Sequence, residues 1–253
     1  MKRVAICLSG QLRTFETAYP GILRYFNSVN PDYFIHTWSA NTWHKKNVEK
    51  VIPHIHTQIN EDDINLAVSI FNPKKYQIDK NKIFDVDMSQ SQQFSAMSSN
   101  ELKKQYEIEN NFKYDVVVKC RFDIIWNPLT EFNITNVNEK TIFFSYVDRN
   151  QFPEYPMALD RVYFGNSQTM DEISQIYFVT TDYIEKRINN KFIESEHGLY
   201  QMCCNLNLDI KETHNHEIIV RKQAEGLNHI TDFEKIKQIH LDFFNMNKPD
   251  KLI

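Results

Sequence analysis

Glycine is scarce in this 253-residue chain, with five residues in all. Neither G-x-G-x-x-G nor G-x-x-x-x-G-K occurs, so both common phosphate-cradling loops are excluded. The missing glycine fingerprint also weighs against a Rossmann dehydrogenase. No apolar run approaches the length of about 18 residues that a spanning helix needs. The opening M-K-R-V-A-I-C-L has the basic start of a signal peptide, but its apolar run is too short, and it reads as a first strand. Excess positive charge is missing as well. A formal net charge of -4 with no basic stripe argues against a generic nucleic-acid binder. The four cysteines, Cys7, Cys120, Cys203 and Cys204, show no C-x-x-C spacing, and Cys7 and Cys120 fall in expected core strands as small hydrophobes. The chain therefore reads as a reduced, cytoplasmic protein. Without a secretory signal, the glycosylation-type triplet Asn133-Ile134-Thr135 carries no weight.

A hydrophobic fraction of 42% and an aromatic fraction of 13% are ample for a packed core. The length fits one large α/β domain or two small ones. No repeat and no Gly/Ser linker divides the chain. The expectation is one domain, with a core over residues 1–190 and a helical C-terminal extension over 191–253 packed on it.

The pattern predicts strands at Val4–Leu8, Asp32–Trp38, Val51–His56 and within Phe71–Asp79. Further strands are expected along Tyr114–Trp126, at Thr141–Val147 and over Met157–Ser167. Helices are expected at Glu16–Phe26, Asp62–Phe71, Met97–Asn110 (capped by Ser98 or Ser99), Met170–Phe178, from Ser195 onward, and at Asp232–Phe244. Strands alternating with helices give an α/β fold with a mostly parallel sheet flanked by helices.

The stretch Y-D-V-V-V-K-C-R-F-D-I-I-W organises the rest. Val116-Val117-Val118 reads as a strand buried on both faces. Arg121 and Asp123 then share one face by alternation, with Phe122 opposite. Opposite charges set between apolar runs must pair with each other or meet a ligand. Since ligands of open α/β sheets sit at the carboxyl ends of strands, a ligand-facing strand end is the preferred reading over a purely structural pair. The turn after the first strand offers backbone N–H groups, the Ser9 hydroxyl, Gly10, the Gln11 amide and the Arg13 guanidinium. An arginine there suits bidentate phosphate contact. Asp160 and Arg161 interrupt apolar sequence beside a polar, Pro-containing loop. His54 and His56 lack the further ligands of a zinc site. Asp85-Val86-Asp87 precedes a polar stretch instead of ending a strand, and reads as a chance D-x-D triplet.

The ordered segments I-C-L-S-G-Q-L-R-T-F, D-Y-F-I-H-T-W, Y-D-V-V-V-K-C-R-F-D-I and L-D-R-V-Y-F-G-N-S-Q-T-M-D resemble landmarks of uncharacterised GT-A-type glycosyltransferases from bacterial polysaccharide clusters, large viruses and phages. The resemblance covers residues 1–200. It implies a Rossmann-like GT-A fold that takes a nucleotide-diphosphate sugar, UDP favoured, and passes the sugar to a glycan or other hydroxyl acceptor. It gives Ser9, Gly10, Gln11, Arg13 and Arg121 to the nucleotide, and Asp123 to a Mn²⁺ or Mg²⁺ ion. Asp160 is implied to contact donor or acceptor, and Glu196, at a helix start, to act as base. His214, His216 and His229 are candidates to complete a metal shell. Arg121 departs from the pattern by standing where the first carboxylate of D-x-D belongs. That departure favours the alternative, a non-catalytic nucleotide- or carbohydrate-binding module descended from a transferase.

Overall fold

The computed structural model describes residues 2–12, 15–39, 59, 61–79, 88–126, 130–134, 136–149, 156–178, 195–213 and 217–219. β-Branched and aromatic runs form the centre of a seven-stranded sheet. Its strands are β1 (Val4–Gly10), β2 (Asp32–Trp38), β3 (Lys75–Asp79), β4 (Val116–Arg121), β6 (Thr141–Phe144), β9 (Val162–Gly165) and β10 (Asp209–Glu212). The order across the sheet is β3-β2-β1-β4-β9-β6-β10. All pairings are parallel except those of β9, which runs antiparallel to both neighbours. Short pieces complete the set: β5 (Ile124–Trp126) pairs with β11 (Glu217–Ile219), and β7 (Val147–Asp148) with β8 (Met157–Ala158).

Alternation along the strands divides the interior into two cores. Val4, Ile6 and Leu8 of β1, with Val116, Val118 and Cys120 of β4, pack under α1 (Phe15–Phe26) and α2 (Glu61–Phe71). Ala5, Cys7 and Val117 face the opposite way, toward α3 (Met88–Asn110), α4 (Ser167–Ile173) and α5 (Ser195–Asn205). The molecule is thus a helix–sheet–helix sandwich with a mostly parallel sheet, compatible with a Rossmann-like fold. Cys7, Cys120 and Cys203 are buried and form no disulfide, and burial pushes the Cys7 and Cys203 thiols up to about 12.

β2 matches its expected bounds, and α1 and α2 start one residue early. α1 runs unbroken through Pro20, because Phe15, Ala18, Ile22, Tyr25 and Phe26 bury one full face. Other elements differ from expectation. α3 begins nine residues earlier than predicted, at Met88, and Ser98 and Ser99 lie inside it. Ser99 Oγ donates to the Ala96 carbonyl 2.9 Å away, so it bonds back into the helix and caps nothing. The Thr141–Val147 strand breaks after Phe144, and the Met157–Ser167 strand breaks at Leu159–Arg161. α4 starts at Ser167, where Asn166 caps it by accepting from Thr169 N at 2.7 Å. The C-terminal stretch is not only helical. After α5 the chain adds β10 to the main sheet, where an edge position satisfies the backbone of a polar segment with no core pattern, and pairs β11 with β5. The expected strand 51–56 and helix 232–244 lie outside the described residues.

Away from the carboxyl ends, one ionic cluster joins α3 to α4 and to the start of β4. Lys103, with no exposure, donates to Glu107 Oε2 (3.2 Å), Ser167 Oγ (2.8 Å) and Asp171 Oδ1 (2.7 Å). Glu107 also accepts from Lys113, Ser167 and Tyr114 N. Burial alone would raise the Glu107 pKa, but these hydrogen bonds and the Lys103 charge outweigh it and hold the carboxyl below its ordinary range. Glu107→Ala takes one of the two carboxylates from the buried Lys103 ammonium and leaves Ser167 Oγ and Tyr114 N without their acceptor, and should destabilise by about 3 kcal/mol in urea denaturation. Lys75→Ala, which breaks only the rim pair with Glu109, should stay under about 1 kcal/mol. The Glu107 contribution is complete above the ordinary glutamate range and is lost as pH falls through the depressed folded value. Equal losses in the two variants would refute this assignment.

Candidate active site at the carboxyl ends of the strands

The order β3-β2-β1-β4 repeats the first half of the doubly wound arrangement, so the chain switches direction across the sheet between β1 and β4. Parallel register sets Cys7 beside Lys119 and Ser9 beside Arg121. Because Ala5, Cys7 and Val117 face α3, alternation turns Ser9, Lys119 and Arg121 to that side too. Gly10 ends β1 with φ 111°, a left-handed conformation that side chains rarely adopt, and its N–H donates to Ser95 Oγ at 2.7 Å. The Ser9 hydroxyl is buried and has no hydrogen-bond partner among the described residues.

The Arg121–Asp123 pair is formed. Arg121 Nε and Nη2 donate to Asp123 Oδ1 and Oδ2, each at 2.8 Å, in a bidentate fork with Asp123 2% exposed. Phe122 points the other way, into the α1/α2 core, as alternation requires. Burial would lower the Arg121 pKa, yet the bonds and charge of Asp123, with the charge of Asp160, raise it above the ordinary value. Gln92 on α3 bridges the pair to Asp160: its Oε1 accepts from Arg121 Nη1 (3.4 Å) and its Nε2 donates to Asp160 Oδ2.

Lys119, which the sequence reading passed over, completes the arrangement. It is 3% exposed, its ammonium donates to the Asp160 main-chain carbonyl, and it lies 5.5 Å from the centre of the Tyr163 ring. Desolvation drives its pKa from 10.5 down to about 8; Asp160 opposes the fall and Arg121 adds to it. A small cleft of about 10 Å³, room for about one water, opens here, lined by Gln92, Gln93, Ala96, Lys119, Asp160, Tyr163, Ile176 and Leu199. Its signal was present in the sequence, since a lysine inside V-V-V-K-C-R shares its face with Arg121. Gln92 and Gln93 gave no such signal, because the expected helix began only at Met97.

Of the residues singled out from sequence, Ser9, Gly10, Arg121, Asp123 and Asp160 gather at this one end of the sheet. Gln11 is half-buried just beyond Gly10. Glu196 lies in the first turn of α5, one turn before the cleft-lining Leu199 and on the same helix face. Arg13, the Asp85-x-Asp87 triplet, His54, His56, His214, His216 and His229 lie outside the described residues.

Ser95, His36 and Asp79 form a chain that resembles a hydrolytic triad. Ser95 Oγ is 2.7 Å from His36 Nδ1, and His36 Nε2 is 3.3 Å from Asp79 Oδ2. Both Ser95 and His36 have no exposure, so no substrate reaches the hydroxyl. Burial lowers the His36 pKa against the pull of Asp79. This chain is a tie. It fastens α3 across the ends of β1, β2 and β3.

The donor set suits a divalent ion poorly. Both Asp123 oxygens face the Arg121 guanidinium, and among the described residues no three His, Cys, Asp or Glu side chains are grouped to hold a metal. No described helix is long and apolar enough to cross a membrane. No family model and no curated protein matches the sequence.

A buried ammonium with a lowered pKa is held in its charged form against the fold's preference. Folded Lys119 releases its proton near pH 8 and the unfolded residue near pH 10.5, so its penalty is complete below pH 8 and disappears as pH rises through that window. Lys119→Met should therefore stabilise the protein at pH 7 by up to about 3 kcal/mol. The difference from the parent should vanish by pH 10.5, measured by thermal melts across pH. A lower Tm at pH 7 would show Lys119 to be a structural support.

Proposed function

We propose that the chain is a glycosyltransferase of GT-A type that takes a nucleotide-diphosphate sugar, UDP favoured, and transfers the sugar to a glycan or other hydroxyl acceptor. One observation carries this reading: Lys119 and Asp160 line a small cleft at the carboxyl ends of the strands, beside the β1/β4 switch point, and Gln92 of the same cleft ties Arg121 to them. The landmarks that suggested the resemblance include the segments bearing these residues.

In this reading the buried cations stabilise the negative charge that develops on the departing diphosphate. The low-dielectric setting strengthens that effect, and Gln92 fixes the relative positions of Arg121 and Asp160. Asp160 contacts the donor sugar or acceptor. Glu196, at the start of α5, is the candidate base for the acceptor hydroxyl. The alternative, a binding module without turnover, is favoured by the closed Arg121–Asp123 pair, which leaves Asp123 no free oxygen for chemistry.

Thermal shift with UDP, GDP and CMP tests the nucleotide, and nucleotide release from sugar donors then separates enzyme from module. Saturating UDP, at about 100 times its Kd, should stabilise by about 2.7 kcal/mol. Asp160→Asn should cut release of UDP from its sugar donor by roughly 10²-fold or more while UDP still binds. Absence of a shift with every nucleotide defeats both readings in their nucleotide-using forms, and binding without release leaves the module.

A further inference from the structure

The two edges of the seven-stranded sheet differ in how they meet another strand. At one edge β10 carries exposed Asp209 and Lys211, and Arg149 donates to its Ile210 carbonyl at 3.3 Å. Charges placed this way guard an edge against pairing. At the other edge β3 reads K-Y-Q-I-D and pairs, among the described residues, with β2 alone. Tyr76 is 52% exposed, and Gln77 beside it is exposed as well.

The main chain of β3 is laid out for a further strand. Asp79 O accepts from Ser39 N at 2.8 Å, so Asp79 turns its carbonyl toward the β2 side. Peptide groups alternate in direction along a strand, so Lys75 and Gln77 turn theirs toward β2 too. The N–H and C=O groups of Tyr76 and Ile78 therefore point out from the sheet, a row that can template pairing.

The side chains select which strand fits, because K-Y-Q-I-D is complementary to its own reverse. An antiparallel second copy centred on Gln77 sets Lys75 opposite Asp79, Tyr76 opposite Ile78 and Gln77 opposite itself. Opposite charges and aromatic–β-branched pairs are both favourable across strands. In this register Tyr76 and Ile78 exchange both of their outward N–H···O bonds. A one-residue slip would set outward groups against inward-turned ones, and a two-residue slip would forfeit both charge pairs. The faces agree as well. Register with Phe34 and His36 puts Lys75 and Gln77 on the α3 side, and Ile78 packs with the α1/α2 core on the side it shares with Tyr76. In the single chain Lys75 bonds to Glu109 at 2.6 Å, a rim contact weak enough to be exchanged.

We infer that β3 is a self-pairing edge: two copies of this chain join β3 to β3, antiparallel about a two-fold axis at Gln77, into one continuous sheet. The contact spans five residues of each copy, so it belongs among the small, reversible interfaces. β1 and β2 separate β3 from β4, and the pairing is independent of the transferase reading.

Sedimentation equilibrium of the full chain over roughly 1–500 μM should show a monomer–dimer equilibrium, as suits a contact of this size. Tyr76→Pro removes an outward donor and leaves the β2 ladder intact, so it should weaken the dimer about tenfold or more. Lys75→Glu sets like charges opposite each other at both ends and should weaken it about fivefold or more. Gln77→Cys, made with Cys204→Ser because Cys204 is exposed, should cross-link two copies through residue 77 on mild oxidation. Melts check that each variant folds, and if the proline variant does not, Lys75→Glu and the cross-link carry the test. A monomer at every concentration overturns the inference. So does a dimer that folded Tyr76→Pro or Lys75→Glu leaves unchanged and that Gln77→Cys fails to cross-link, since it then uses another surface.

Discussion

Charge taken out of water must be matched, and at the end of β4 that requirement shapes everything nearby. Two cations, Lys119 and Arg121, enter the interior on one face of a strand whose other face is hydrocarbon. Arg121 is matched by Asp123 through a fork that the two-residue alternation permits, with Phe122 anchoring the turn between them. Lys119 donates to a carbonyl and lies against a ring face, and desolvation depresses its pKa against the charge of Asp160. One cation is locked in a fork and the other is held by burial. This division gives the cleft its chemical character.

α3 makes that division possible. Its first half carries Gln92, which links Arg121 to Asp160, and Ser95, which links Gly10 to His36 and through it to Asp79. Small side chains at Ser95, Ala96 and Ser99 are buried against the sheet and let the helix sit close to β1 and β2. Its second half is fastened elsewhere, by Lys103 and Glu107 to α4 and the β4 entry. The helix therefore spans from a structural ionic cluster to the cleft, and the fixed far end holds the near end in register.

Much of this was legible in the residues. β2 reads directly from D-Y-F-I-H-T-W, and the V-V-V run declares a doubly buried strand because no solvent face needs polar residues. The Arg121–Asp123 juxtaposition followed from alternation alone. The early start of α3 did not, since M-S-Q-S-Q-Q-F-S has a weak apolar face, and what ties this turn to β1 and β2 is the Ser95 hydroxyl, bonded to Gly10 N and His36. Strand β10 was hidden for the same reason. A four-residue edge strand with exposed Asp209 and Lys211 has no hydrophobic signature until β6 offers it a backbone ladder.

The sequence by itself determined the α/β class, the buried strands and the charged residues that crown them, because periodicity and desolvation act through near neighbours. Only tertiary structure decided that Lys119 shares a cleft with Asp160, and that Gln92 crosses over to tie Arg121 to Asp160. Those facts depend on which strand lies beside which and where a helix crosses, and such long-range pairings leave no mark on local spacing.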